Sequence, residues 1–187
     1  MTIYVIVIFY TTPTKGLKMT LQQILKQHSI TSVWHFTDLS NLNSIKEYGI
    51  ASLEMIEKQK IEVSRFGADE LSHKLDKRYG LDGYVHLAFT DDHPMYHIAK
   101  NRGTIKRGIW LEIPVSEILK DDVLFCDAVA NKNHATLYNK HEIANNIDFE
   151  TLLYGTDFES RKNARKAEIL IPGRINFNKV IGGHYGK

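Results

Sequence analysis

Apolar positions in this chain fall into short blocks, four to eight residues long, separated by polar turns. Residues 3–10 form the longest unbroken run, Ile-Tyr-Val-Ile-Val-Ile-Phe-Tyr, whose β-branched and aromatic content predicts a strand. Residues 1–18 are equally readable as an N-terminal extension or a non-native start, because Met19 offers a second start just before the first clear helix. Thr20-Leu-Gln-Gln23 is a capping box, and Leu21, Ile24 and Leu25 supply the helical stripe that follows, to about residue 28. Residues 33–38 predict a short strand broken by a polar pair. Thr37 or Asp38 then caps a helix carrying Leu39, Leu42 and Ile45, with Gly49 as its stop.

Residues 51–80 are the least regular part. Residues 61–67 read as a strand turning into a loop, and the charged stretch 69–78 as a solvated helix or a flexible lid. Residues 83–89 alternate as a strand should, and Pro94 ends that segment and starts a helix through Ile98. Further strands are expected at 108–114, 123–126, 167–171 and 179–183, with short helices at 117–120 and 147–154. Residues 127–146 and 156–163 read as polar loops, the first with a single helical turn. Strands outnumber helices after residue 80, and their separations are too short for regular βαβ crossovers. The expected class is α+β, one domain over 19–187, with a split, mostly antiparallel sheet and peripheral helices.

Composition refines this picture only locally. Apolar and charged fractions of 43% and 25% are ordinary, and the formal charge is only +2. From Arg161 to Lys187, however, seven Lys and Arg face a single acid, Glu168, and Lys100 to Arg107 is a second acid-free basic run. Two such patches suit a polyanion, although a solvated face explains any charge run equally well. The eight-residue run at 3–10 is too short for a membrane span, so no membrane partner is expected. Single Cys126, in an apolar stretch, suits a reducing compartment and reads as a small buried side chain. No Cys/His cluster has metal-ligand spacing, so no metal is expected.

One carboxylate stands out. Glu168 is the only polar side chain in the strand that Pro172 closes, and such a glutamate must either face solvent or find a partner. His35 and Thr37 sit at a strand exit, where a ligand contact and a hydrogen-bonded structural group are both ordinary. Arg65 suits two-point contacts to a pyrophosphate or base, or an ion pair with Asp69. Tyr84, Phe89 and Tyr96 suit stacking or core packing, and Met95 suits packing beneath a pocket.

Four stretches together resemble the DarT family, the DNA ADP-ribosyltransferase toxins of bacterial toxin–antitoxin and phage-defence systems. They are Trp34-His35-Phe36-Thr37 with Glu47-Tyr48-Gly49-Ile50; Tyr84-Val85-His86-Leu87-Ala88-Phe89 with His93-Pro94-Met95; Leu124-Phe125-Cys126-Asp127 with Asn133-His134; and Lys166-Ala167-Glu168-Ile169-Leu170. The similarity runs from about residue 31 to 183. It implies an ADP-ribosyltransferase fold in which two small sheets form an NAD cleft. The family's catalytic glutamate falls on Glu168 and an arginine important for catalysis on Arg65. His35, Phe36 and Thr37 fall on the cofactor strand, and Ile50, Tyr84 and Phe89 are placed at the same cleft.

Residues 157–166 would be the substrate-recognition loop, where Arg161, Lys162, Arg165 and Lys166 grip phosphates of single-stranded DNA. The expected acceptor is thymidine or guanosine, with RNA, protein or a silent nucleic-acid-binding module as alternatives. A macrodomain antitoxin partner, a monomeric state and a cytoplasmic location are implied as well. In this chemistry an ionised Glu168 would orient the ribose 2′-hydroxyl and stabilise positive charge on the sugar, aided by Arg165 and Lys166. Glu168→Ala is then expected to abolish modification while barely altering the melting temperature.

Overall fold

A computed structural model describes residues 19–186; the strand expected at 3–10 lies outside them. In chain order the elements are α1 Leu21–Gln27, β1 Ser32–Asp38, α2 Leu42–Tyr48, β2 Ile50–Ala51, α3 Leu53–Gln59, α4 Glu70–Tyr79 and β3 Tyr84–Ala88. There follow α5 Pro94–Arg102, β4 Gly108–Pro114, β5 Leu124–Cys126, β6 Leu137–Tyr138, α6 Phe149–Tyr154, α7 Phe158–Ala164, β7 Glu168–Pro172, β8 Arg174–Ile175 and β9 Gly182–Tyr185. Short 3-10 turns link several of them. Seven strands form one antiparallel sheet in the order β6-β5-β7-β3-β1-β4-β9, and β2 pairs with β8 in a separate ribbon.

The sheet is nearly divided. β1 and β4 pair from Ser32↔Pro114 to Asp38↔Gly108, and β3 and β7 from Tyr84↔Pro172 to Ala88↔Glu168. Between β1 and β3 the only matched pair is Trp34↔Ala88. Beyond that bridge the strands part, which gives the two halves and the cleft that the resemblance implies. A side chain spans the gap where the backbone ladder stops: the Nδ1 of His35 lies 3.1 Å from the His86 carbonyl oxygen.

Strand alternation sorts the faces. Val33, Val85, Leu87, Phe89, Ile109, Leu111, Ile113, Ile169 and Ile171 point to one side and meet α1 and α6 in the main core. Trp34, Phe36, Ala88 and Trp110 point to the other, where Tyr96 of α5 covers them. The capping box of α1 forms as read, with Thr20 and Gln23 bonded reciprocally. Gly49 ends α2 at φ +80°, and a Cβ there would lie 2.5 Å from the Ile175 oxygen, so both conformation and space demand glycine.

Three expectations need correction. Residues 61–67 form no strand among the described residues, and that stretch runs as irregular backbone beside the cleft. Residues 51–80 nevertheless contain two helices, α3 capped by Ser52 and α4 capped by Asp69, the latter taking the helical of the two readings. The stretch 156–163 is mostly helix rather than loop, because Asp157 accepts the Ser160 N–H and starts α7.

Candidate active site

Glu168 opens β7, which lies between β5 and β3 and is therefore not an edge strand. The residue is 7% exposed, so the solvent-facing alternative is excluded. Its partners come from three directions. Oε2 lies 3.0 Å from Nδ1 of His86, two residues from its paired position on β3, and accepts the Ala130 N–H at 3.1 Å. Oε1 faces Nε2 of His93, 3.9 Å away. Burial alone would raise the Glu168 pKa, but the bond and charge of His86, followed by His93 and Ala130, outweigh it and hold the carboxyl below its usual range. The carboxylate is ionised at neutral pH. Arg165, expected to supply that stabilisation, instead binds Asp92 through Nη1 and donates from Nε to the Leu152 carbonyl.

His86 is the cation of the pair. Burial opposes its charge, yet the hydrogen bond and charge of Glu168, then Asp76 and the Leu81 backbone, raise its pKa above the ordinary value. The carboxylate accepts from Nδ1, and the charged ring carries a proton on its other nitrogen as well. Asp76 of α4 completes this line; burial raises its pKa against the opposing pull of His86 and a bond from Asn131.

The other two histidines are neutral. Burial lowers the pKa of His35 to about 4, against the bond to the His86 carbonyl. Nδ1–H is the donor in that bond, which leaves its Nε2 as an acceptor. His93 is 1% exposed and caps α5, its Nδ1 accepting the Met95 N–H at 3.3 Å. The proton of the neutral ring therefore sits on Nε2. Burial keeps its pKa low, with Glu168 the main opposing influence.

These groups line a cavity of about 260 Å³ where β1 and β3 diverge. His35, Phe36, Thr37, Ile50, Arg65 and Tyr84 all border it, as do His86, His93, Met95 and Glu168. The structure thus brings together two stretches more than 130 positions apart. Phe89 is the exception: it lies just past β3, does not border the cavity, and packs in the main core, where it stacks on Phe125 and meets Phe149 edge-on. Arg65 makes no pair with Asp69, which binds Arg102 instead. Its backbone is held by Asn41, whose Nδ2 donates to the Arg65 carbonyl at 2.6 Å and whose Oδ1 accepts the Arg65 N–H at 3.1 Å.

Arg161, Lys162, Arg165 and Lys166 border a second cavity of about 370 Å³, together with His97 and Phe158. Phe158 is 64% exposed, and the Lys162 ammonium lies over its ring. Cys126 is fully buried, its thiol pushed up to about 11, and is the small core residue expected of it.

Sequence reading missed Asn41, Asp76, His86 and His93. The last two had legible signals, since alternation puts His86 on the face of Ala88, and a polar residue before Pro94 is a helix cap. No sequence signal pointed to Asn41 or Asp76.

A family profile described as "ssDNA thymidine ADP-ribosyltransferase, DarT" matches residues 34–182. No curated protein matches the chain. Among solved structures, Thermosipho africanus DarTG in complex with ADP-ribose aligns with a TM-score of 0.69 and 23% identity. That alignment covers 83% of this chain but only 44% of the Thermosipho chain. Thermus sp. 2.9 DarT in complex with ADP-ribosylated ssDNA aligns at 0.65 with 18% identity, over 81% of this chain and 79% of that one. The same Thermus protein in complex with NAD+ aligns at 0.57 with 17% identity, again over 81% and 79%.

Proposed function

This chain belongs to the DarT family, and we propose that it transfers ADP-ribose from NAD to a base of single-stranded DNA. The observation that carries the proposal is Glu168, buried where the cleft between β1 and β3 begins, with His86 and the Ala130 N–H on its Oε2 favouring the ionised form. Breaking the bond between nicotinamide and ribose leaves positive charge on the sugar, and a fixed carboxylate beside it stabilises that charge without reorganising. A new bond then forms from the base to the ribose C1′, nicotinamide leaves, and the base proton passes to Glu168 or to water.

In this reading Arg65, held by Asn41, contacts the pyrophosphate or the base. His35, Phe36, Thr37, Ile50 and Tyr84 form the wall against which the dinucleotide lies. Arg161, Lys162 and Lys166 meet the phosphates flanking the acceptor, with Arg165 fixing the end of the helix that presents them. Thymidine is the acceptor favoured by the family description, with guanosine the alternative. A toxin acting in the cytoplasm in phage defence, monomeric and neutralised by a macrodomain antitoxin, completes the proposal.

The test is mass spectrometry of single-stranded oligonucleotides of differing base content after incubation with NAD. An adduct confined to thymidine-containing strands is expected. Labelling of RNA or protein alone would replace the acceptor, and labelling of nothing would overturn the proposal.

A further inference from the structure

Nε2 of His93 and Oε1 of Glu168 face each other at 3.9 Å, too far apart for a hydrogen bond between them. Nε2 of His93 carries the ring proton and has no partner, although the residue is 1% exposed. The Lys166 backbone favours the charged form of the ring, yet nothing completes a bond to Nε2. Opposite it stands Oε1 of Glu168, 3.9 Å away, while the neighbouring Oε2 is taken by both His86 and Ala130. A buried N–H left without an acceptor is costly, and such groups in native proteins usually mark a ligand or water position. The ring cannot turn away to relieve it. Nδ1 holds the Met95 N–H and so caps α5, and Phe36 stacks on the ring face at 6.2 Å.

The separation fixes the class of group that fits. A donor and an acceptor 3.9 Å apart are both satisfied by one oxygen lying about 2.8 Å from each. That oxygen must accept from Nε2–H and donate to Oε1, which a hydroxyl or the water it displaces does and which a carbonyl, a phosphate or an ammonium does not. We infer that His93 is a substrate-contacting residue which, with Glu168, brackets one hydroxyl of the ribose on the nicotinamide side of NAD. The inference rests on the NAD reading above and adds a second residue to the recognition of that sugar. The hydroxyl's proton points at the carboxylate and its oxygen is tethered to a rigid ring, so the ribose is set in one orientation before the bond to nicotinamide breaks.

The decisive variant is His93→Asn. Asparagine is a good helix cap and keeps an acceptor for the Met95 N–H, but it has no donor at the Nε2 position. Binding of NAD and of its 2′-deoxy and 3′-deoxy analogues, modified on the nicotinamide-side ribose, is measured by calorimetry on both proteins. His93→Asn is expected to weaken NAD binding roughly three- to tenfold, the range for one lost neutral hydrogen bond. One deoxy analogue should bind the parent protein with a similar loss and show no further loss against the variant. Unchanged NAD affinity in a folded His93→Asn, or losses that simply multiply for both analogues, would overturn the inference while leaving ADP-ribosyl transfer intact. Failure of the parent protein to bind NAD at all removes the function reading first, and the inference with it.

Discussion

Glu168 and His86 form an ion pair across β7 and β3, Oε2 to Nδ1 at 3.0 Å, with the carboxylate almost enclosed and the imidazole side chain 30% exposed. The two residues are 82 positions apart in sequence. Each holds the other in its charged form, so the carboxylate the chemistry needs is also part of the fold's internal balance of charge.

Glu168→Gln is expected to reduce ADP-ribosyl transfer by a factor on the order of 10³, read as adduct formed per unit time. Glu168→Ala will also lower the melting temperature, by roughly 5 °C, because it strands a partly buried imidazolium and leaves the Ala130 N–H unpaired. This revises the expectation of a near-silent effect on stability. An unchanged melting curve would show that the pair contributes nothing to the fold.

Replacing His86 by Gln removes the cation that offsets the burial of Glu168. The carboxyl pKa should then rise, and the acid limb of the kcat/KM profile should move to higher pH. A limb that stays in place would mean that His86 does not set the ionisation of Glu168.

Asn41 grips the backbone of Arg65 at two points and donates to Thr37 as well. Asn41→Ala should cost about 1–3 kcal/mol of stability by denaturant unfolding. It should also lower kcat/KM about tenfold or more, through displacement of Arg65. Full activity in a destabilised variant would separate Arg65 from the reaction.

Within the basic segment the side chains differ in kind. Lys162 is solvent-facing beside exposed Phe158 and pairs with the exposed Glu159, whereas Arg165 is 17% exposed and held by Asp92 and the Leu152 carbonyl. Lys162→Ala should weaken single-stranded DNA and reduce the salt slope of log Kd by about 0.7, with little change in melting temperature. Arg165→Ala should lower the melting temperature as well as the affinity. Identical behaviour of the two variants would contradict this division.

Acid should destabilise the protein in a defined window. His35 and His93 have lowered pKa values in the fold, His35 about 4. A histidine of this kind contributes stability above its unfolded value of about 6.5, and that contribution is lost as pH falls towards the folded value. His86, whose pKa is raised, contributes fully below about 6.5 and loses its contribution as pH rises through its folded value. The melting temperature should therefore fall between pH 6.5 and 4, and His35→Gln should flatten that fall.

The sequence by itself determined most of the local structure. The Thr20 capping box, the alternation of residues 84–88, Gly49 as a helix stop and Pro94 as a helix start are decisions made within a few residues, by hydrogen-bonding capacity and allowed backbone angles. The lone acid at 168 was visible as an anomaly for the same reason, since an apolar strand advertises its one charge. Tertiary structure alone decided which histidine meets that acid, that Phe89 packs in the core rather than at the cleft, and that Arg165 is occupied. Those outcomes depend on β3 lying between β7 and a diverging β1, a pairing of strands distant along the chain that no local periodicity encodes. Burial then gives this pairing its consequence, because it opposes both charges and the contact between His86 and Glu168 offsets that cost.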